Sequence, residues 1–332
     1  MFKVLLTCPP MINRVSNYTD LFKKHNLDVF CPKFQQTLSE EELINLVPKY
    51  DAWIIGDDPA THKVFEAGVA NNGRLKAVIK WGVGVDNVDF QACKDLGLPV
   101  TNTPNVFGEE VSDIAIGYLI SLCRQIHNID QGTKNGQWLK PCGASIYGKK
   151  ICQIGFGDIG RTIIRKLIPF NGSLYVSDPG FENQGNDIIC KFNPDLKIPR
   201  EISEKIVLTS LWEAVADSDV IIVACNLNKS THGLVNKELI LKAKKGVKII
   251  NIARGPVVNE ADVVELLESC HIDCVGFDVF EEEPLPKDSK LRNYPRCIFG
   301  SHNSSNTMEA VDKTSHLAIT KLVGFLNNIS KL

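Results

Sequence analysis

A chain of 332 residues, 44% hydrophobic and 23% charged, is long enough for two domains and has the composition of a globular protein. Its net charge of −2 gives no broad basic footprint for nucleic acid or an anionic membrane, and no apolar run approaches a membrane span. The eleven cysteines are scattered, mostly in apolar runs, which reads as buried free thiols in a reducing cytoplasm, and Cys270, His271 and Cys274 lack the second pair that would complete a zinc site.

The N-terminus reads as a strand over residues 2–6 and lacks the plan of a signal peptide. Residues 19–25 suit a helix and 27–30 a second strand. Ser39 with Glu42 forms a capping box, and Pro48 closes the helix it opens. Strand 52–55, helix 61–70, strand 77–80, helix 88–96 and strand 99–102 follow. Such alternation predicts a parallel, doubly wound sheet. Residues 109–127 carry apolar side chains at helical spacing, so a long helix with a wide apolar face is expected there. Residues 133–147, with Trp138 and Pro141, read as an extended connection.

The next stretch organises the chain. Apolar residues 151–154 run into Gly155, Gly157 and Gly160, a G-x-G-x-x-G. Ile159, Ile163, Ile164, Leu167 and Ile168 continue at helical spacing to Pro169, and a second strand over 174–177 ends at Asp178. This strand, turn, helix and strand, with an acid roughly twenty residues past the glycines, is the dinucleotide-binding fingerprint. The first glycine permits the tight turn, the second lets backbone approach a pyrophosphate, and the third packs helix on strand. Asp178 suits the adenosine ribose hydroxyls and would repel a 2′-phosphate. The following Pro179, Gly180 and Phe181 offer no cation to such a phosphate, so the cofactor expected is NAD rather than NADP. Residues 182–200 are polar with scattered Pro, Gly and Asn and read as an elaborated loop with no assigned function. Strands at 207–208, 220–224, 247–251 and 273–277, a helix at 260–268 capped by Asn259, and a long helix over 307–329 complete the pattern.

Five stretches in this order give the chain a family resemblance. They are Lys-Trp-Gly-Val-Gly-Val-Asp-Asn-Val-Asp at 80–89, Asn-Thr-Pro at 102–104 leading to Asp113, the glycine fingerprint, Asn-Ile-Ala-Arg-Gly-Pro-Val-Val at 251–258, and Gly-Phe-Asp-Val-Phe-Glu-Glu-Glu-Pro at 276–284, with His302 beyond them. Across nearly its whole length the chain resembles the D-isomer-specific 2-hydroxyacid dehydrogenases, the family that includes phosphoglycerate, formate and D-lactate dehydrogenases. The resemblance implies an α/β fold of two doubly wound parallel-sheet domains, with a Rossmann NAD-binding domain at 103–301 inserted into a flavodoxin-like substrate domain made of 1–102 and 302–332. It implies an active site in the cleft between them, with hinge closure, and a homodimer formed through the helix from Glu109 and the arm after it.

The matching catalytic residues are Arg254, Glu283 and His302. Their chemistry suits hydride transfer to a 2-oxo acid. A guanidinium holds a carboxylate and polarises a ketone, His exchanges a proton with the alkoxide oxygen, and Glu orients the ring. Asp158 and Ile159 match turn residues at the pyrophosphate, while Cys225, Ile252 and Asp278 match positions near the nicotinamide and its ribose. For Asp278 the alternative is a structural cap. Val83 and Gly84 match a loop whose N–H groups hold the substrate carboxylate, and Lys80 stands where phosphoglycerate members often have Arg.

The chain departs from the pattern in three places. Gly300 and Ser301 replace the usual Thr-Pro before the His. Asp57 and Asp58 stand where an Arg near a substrate phosphate is common, and the sequence ends at Leu332 without room for a regulatory domain. The function implied is an NAD-dependent oxidoreductase of a small D-2-hydroxy acid or 2-oxo acid, phosphoglycerate dehydrogenase-like. The alternative is an NAD(H)-sensing corepressor or scaffold of the same fold.

Overall fold

The computed structural model describes residues 1–34, 37–70, 72–185 and 187–329. The chain divides into two units, Met1–Val106 with Asn306–Leu332, and Phe107–Ser305. The sequence placed these joins at 102/103 and 301/302, so His302 lies in the second unit and not among the residues of the first.

In the first unit strands β1 (Phe2–Leu6), β2 (Leu27–Phe30), β3 (Ala52–Ile55), β4 (Ala77–Lys80) and β5 (Val100–Asn102) form one sheet in the order β2-β1-β3-β4-β5, with every pairing parallel. That is the flavodoxin-like order. Helices α1 (Pro9–Ile12), α2 (Thr19–Lys24), α3 (Glu40–Leu46), α4 (His62–Val69) and α5 (Phe90–Asp95) connect the strands. β3 and β4 are buried at every position, as a strand covered on both faces must be. Leu5, Trp53, Phe65 and Val78 lie in the core on one face. The capping box is present, Ser39 accepting from Glu42 N–H while Glu42 accepts from Ser39 N–H.

The second unit opens with α6 (Gly108–Arg124) and α7 (Ile126–Lys134). The single helix expected over 109–127 is therefore two. Gln125 breaks it in the left-handed conformation, φ 54° and ψ 38°, and the second helix runs into the stretch expected to be extended. Strands β6 (Lys150–Ile154) and β7 (Ser173–Ser177) flank α8 (Asp158–Leu167). The loop expected over 182–200 is an antiparallel hairpin of β8 (Phe181–Gln184) and β9 (Asp187–Cys190), followed by α9 (Arg200–Ser203).

Next come β10 (Ile206–Leu208), α10 (Leu211–Val215), β11 (Val220–Val223), α11 (Lys237–Ile240), β12 (Val247–Asn251), α12 (Glu260–Glu268), β13 (Ile272–Phe277) and β14 (Ile298–Phe299). The seven-stranded parallel sheet has the order β10-β7-β6-β11-β12-β13-β14. Its first six strands follow the Rossmann order, reversing between β6 and β11. Asn259 caps α12 by accepting from Asp262 N–H, as expected. The last helix, α13 (Met308–Ile329), belongs to the first unit and packs on β4. Among the described residues no helix is long and apolar enough to cross a membrane.

Candidate active site

The reversal point of the second sheet is where the glycines sit. Gly155 follows β6 with φ +100°, and a Cβ there would lie 2.7 Å from the backbone of Ala224 and Cys225 beyond β11. Only glycine tolerates both that dihedral and that approach. The buried Gln153 amide donates to the carbonyls of Gly155 and Gly160 at 2.9 and 2.8 Å, drawing the turn onto the helix. Gly157 is the N-cap of α8, and a Cβ on it would meet nothing within 4 Å. It therefore leaves open space beside the N-terminus of a ten-residue helix, where free N–H groups and the helix dipole favour an anion. Asp158 and Ile159 are the first residues of that helix.

Asp178 ends β7. Its carboxylate is fixed by two backbone donors, Phe156 N–H and Gly180 N–H, each at 2.7 Å and each on a different oxygen. Every carboxylate oxygen has a second lone pair, so both remain able to accept from a ribose diol. Gly155, Gly157, Asp178 and Cys225 line one cavity of about 750 Å3 with Thr209 and Phe192. Burial, with the Asp178 charge acting in the same direction, pushes the Cys225 thiol up to about 11, so it is a neutral wall. An open helix N-terminus, a held carboxylate and a cavity of this size fit a dinucleotide.

The catalytic candidates hang from the C-terminal ends of β12, β13 and β14. Asn251 is 1% exposed, accepts from Ala253 N–H at 3.1 Å and donates to Arg254 O at 3.0 Å, so it fixes the turn that carries Arg254. Ile252 N–H is bound to Val223 O at 3.2 Å. A Cβ on Gly255 would lie 1.8 Å from the carbonyl carbon of Phe280. The Arg254 turn therefore packs directly on the turn that leads to Glu283. The two turns are also joined by a reciprocal pair, in which Glu260 N–H donates to Glu281 at 2.9 Å and Glu281 N–H donates to Glu260 at 2.6 Å.

Glu283 accepts from Phe280 N–H at 3.0 Å through Oε1, and its Oε2 lies 2.7 Å from His302 Nδ1. The pair engages Nδ1 of the His302 ring. His302 sits at φ 54°, a strained conformation for a side-chain-bearing residue. Asp278 holds it there. His302 N–H donates to Asp278 O at 2.7 Å, and the Asp278 carboxylate accepts from Asn303 N–H at 3.3 Å, Ser304 N–H at 2.9 Å and the Ser304 hydroxyl. Tyr118 on α6 also hydrogen-bonds Asp278, and burial first, then the Asp278 charge, pushes its phenol well above the ordinary range. The residues that support the site, Asn251, Tyr118 and Ser304, were missed by the sequence reading. Of these only Asn251 carried a signal, a polar residue ending an apolar strand.

In the first unit Lys80 is 2% exposed, and its ammonium donates to Gly56 O at 2.5 Å and to Asp57 Oδ1 at 2.9 Å. Asp58 is buried and accepts from Leu38 N–H at 2.9 Å, and burial raises its carboxyl. The Asn102 amide holds the loop bearing Val83 and Gly84 through the carbonyls of Gly82 and Val83, at 3.4 and 3.3 Å. Among the described residues no group of three His, Cys, Asp or Glu side chains is placed to hold a metal ion.

Residues 116–304 match the family described as D-isomer specific 2-hydroxyacid dehydrogenase, NAD binding domain. The hydroxypyruvate reductase of Thermotoga maritima is 30% identical over 87% of this chain and 88% of its own. The D-3-phosphoglycerate dehydrogenase of Bacillus subtilis is 32% identical over 83% of this chain, which spans about half (51%) of that protein. The apo structure of D-lactate dehydrogenase from Escherichia coli superposes with a TM-score of 0.78 at 25% identity, covering 99% of this chain and 97% of that one.

Proposed function

The chain belongs to the D-isomer-specific 2-hydroxyacid dehydrogenase family and is an NAD-dependent oxidoreductase acting on CH–OH groups, and we propose that its substrate is a small, unphosphorylated 2-oxo acid reduced to the D-2-hydroxy acid. The observation that carries the substrate class is the engagement of Lys80. Its ammonium is buried and already neutralised by Asp57. The position that would otherwise offer a cation to a phosphate dianion therefore offers none. Glyoxylate and hydroxypyruvate, the oxo acids named for relatives of this chain, are the first candidates.

In this reading bound NADH would supply the hydride and leave as NAD+, while the residues of the chain hold the substrate and handle the proton. Arg254 pairs with the substrate carboxylate and polarises the carbonyl oxygen. His302 donates the Nε2 proton to that oxygen as negative charge develops there, while Glu283 Oε2 keeps the other ring nitrogen protonated and oriented. Val83 and Gly84 would add backbone donors for the carboxylate. Asp178 accepts from the adenosine ribose, and Gly155, Gly157, Asp158, Ile159 and Gly160 make the pyrophosphate turn. Cys225, Ile252 and Asp278 flank the nicotinamide end on the family pattern.

A homodimer is part of the same proposal. Ile126, Trp138 and Tyr147 are 49, 79 and 72% exposed along α7 and the arm after it, and burying them against a second copy would remove that apolar surface from water. The relatives are named as reductases and dehydrogenases, and no particular observation favours the cofactor-sensing scaffold. The direct test follows NADH absorbance with glyoxylate, pyruvate, hydroxypyruvate and 3-phosphohydroxypyruvate. An unphosphorylated acid should lead in kcat/KM by about ten-fold or more, the equivalent of ~1.4 kcal/mol. A preference for the phosphorylated acid would overturn the Lys80 argument.

A further inference from the structure

The segment from β8 to α9 is anchored. Phe181, Ile188 and Ile202 are buried, and the Phe181 ring meets Phe156 of the glycine turn edge-on with centroids 5.1 Å apart. Asn183 donates to Leu208 O at 3.2 Å, tying the hairpin to β10. Lys191, the residue after β9, is fastened to the turn after Asp178: its N–H donates to Gly180 O at 2.8 Å and its ammonium to Pro179 O at 3.0 Å. The next residue is Phe192. Three of the segment's large apolar side chains are buried, while Phe192 is 85% exposed and lines the same cavity as Asp178 and Gly157. Its ring edge is close enough that a Cβ on Gly180 would lie 3.2 Å from it.

An exposed phenyl group alone means little. This one is held beside the carboxylate that fits the adenosine ribose, by a backbone fastened to that carboxylate's own turn. The base is the next group along a dinucleotide beyond that ribose. We propose that Phe192 forms one wall of an adenine slot, stacking on the base, and that the segment from β8 to α9 serves to present it. The proposal rests on the NAD reading and goes beyond it, since the glycine turn and Asp178 are complete without the hairpin. Stacking on an exposed aromatic is recognition by shape and polarisability, so it selects a planar base over a nucleotide without one.

The test titrates the full chain calorimetrically with ADP-ribose, which carries adenine, ribose and pyrophosphate but cannot react. Phe192→Ala should raise the Kd for ADP-ribose about ten-fold, the equivalent of ~1.4 kcal/mol, which lies within the usual loss when a base-stacking aromatic is replaced by alanine. Phe192→Trp should keep wild-type affinity, because the platform is preserved. Phe192 is exposed, so neither substitution disturbs a core. An unchanged Kd in Phe192→Ala, or a Trp variant as weak as the Ala variant, would overturn the proposal. Failure of the wild-type chain to bind ADP-ribose at all would instead remove the NAD-site assignment on which it stands.

Discussion

Replacing Glu283 by Gln tests the pairing at the centre of the proposed mechanism, because it removes a charge and barely changes volume. Glu283 faces two donors, Phe280 N–H at 3.0 Å on Oε1 and His302 Nδ1 at 2.7 Å on Oε2. A carboxylate accepts from both, whereas an amide presents one acceptor and one donor. If Gln keeps its carbonyl on Phe280 N–H, its NH2 group meets Nδ1 and forces the ring to accept there, which an imidazolium cannot do. If the carbonyl turns to His302, the NH2 group opposes Phe280 N–H. Either way a charge-assisted hydrogen bond is lost. The two side chains are 32 and 24% exposed, so the lower half of the usual range applies. A loss of about 2 kcal/mol corresponds to roughly 30-fold in rate. Steady-state reduction of the preferred oxo acid measures kcat, and fluorescence titration measures NADH affinity. Glu283→Gln should lower kcat by that factor and leave NADH affinity little changed. Wild-type kcat would refute the orienting role, and an equal loss of NADH affinity would move the effect to the cofactor site.

Two further outcomes follow from the geometry. Gly300→Ala would place a Cβ 2.0 Å from Asp278 Oδ1 and 2.5 Å from the Tyr118 hydroxyl, so the His302 loop must shift. We expect a stability loss of about 1–3 kcal/mol, read from the denaturation midpoint, together with reduced turnover. Wild-type values for both would show that the loop accommodates the methyl group. The proposed homodimer predicts twice the chain mass by light scattering at micromolar concentration and a shift toward monomer in Trp138→Ser, and a monomeric wild type would remove the dimer.

The sequence made legible what recurs with a period or obeys local chemistry. Continuous apolar runs marked β3, β4, β11 and β12, the Ser39 and Asn259 caps were visible as caps, and the glycine fingerprint located the cofactor turn. What stayed hidden depends on partners far along the chain. The break at Gln125 has no Gly or Pro to announce it, and the apolar spacing continues past it. With its carbonyl turned toward Arg296, the Gln125 side chain accepts from Nε and Nη2 at 2.7 and 2.8 Å, a contact that no local pattern encodes. β14 has two residues, too few to show alternation. The hairpin of β8 and β9 stayed hidden because β8 is polar after Phe181 and β9 has adjacent isoleucines, so neither strand shows the alternation that announces one.

The substitution of Gly-Ser for Thr-Pro before His302 also finds its reason in tertiary structure. Proline would stiffen the approach to the histidine from within the chain. Here the stiffness comes from outside it, through the buried Asp278 carboxylate, which gathers Asn303 N–H, Ser304 N–H, the Ser304 hydroxyl and Tyr118. That carboxylate and the phenol occupy the space any side chain at position 300 would need, so a threonine there and the Tyr118 to Asp278 contact exclude each other in this geometry. The glycine is therefore a consequence of a different brace on the same histidine. The brace is polar and buried, and removing its carboxylate would take the acceptor from Ser304 N–H and the Ser304 hydroxyl beside the left-handed backbone of His302. By this reasoning the constraint on His302 comes from the packing of α6 against β13 rather than from a proline in the covalent chain.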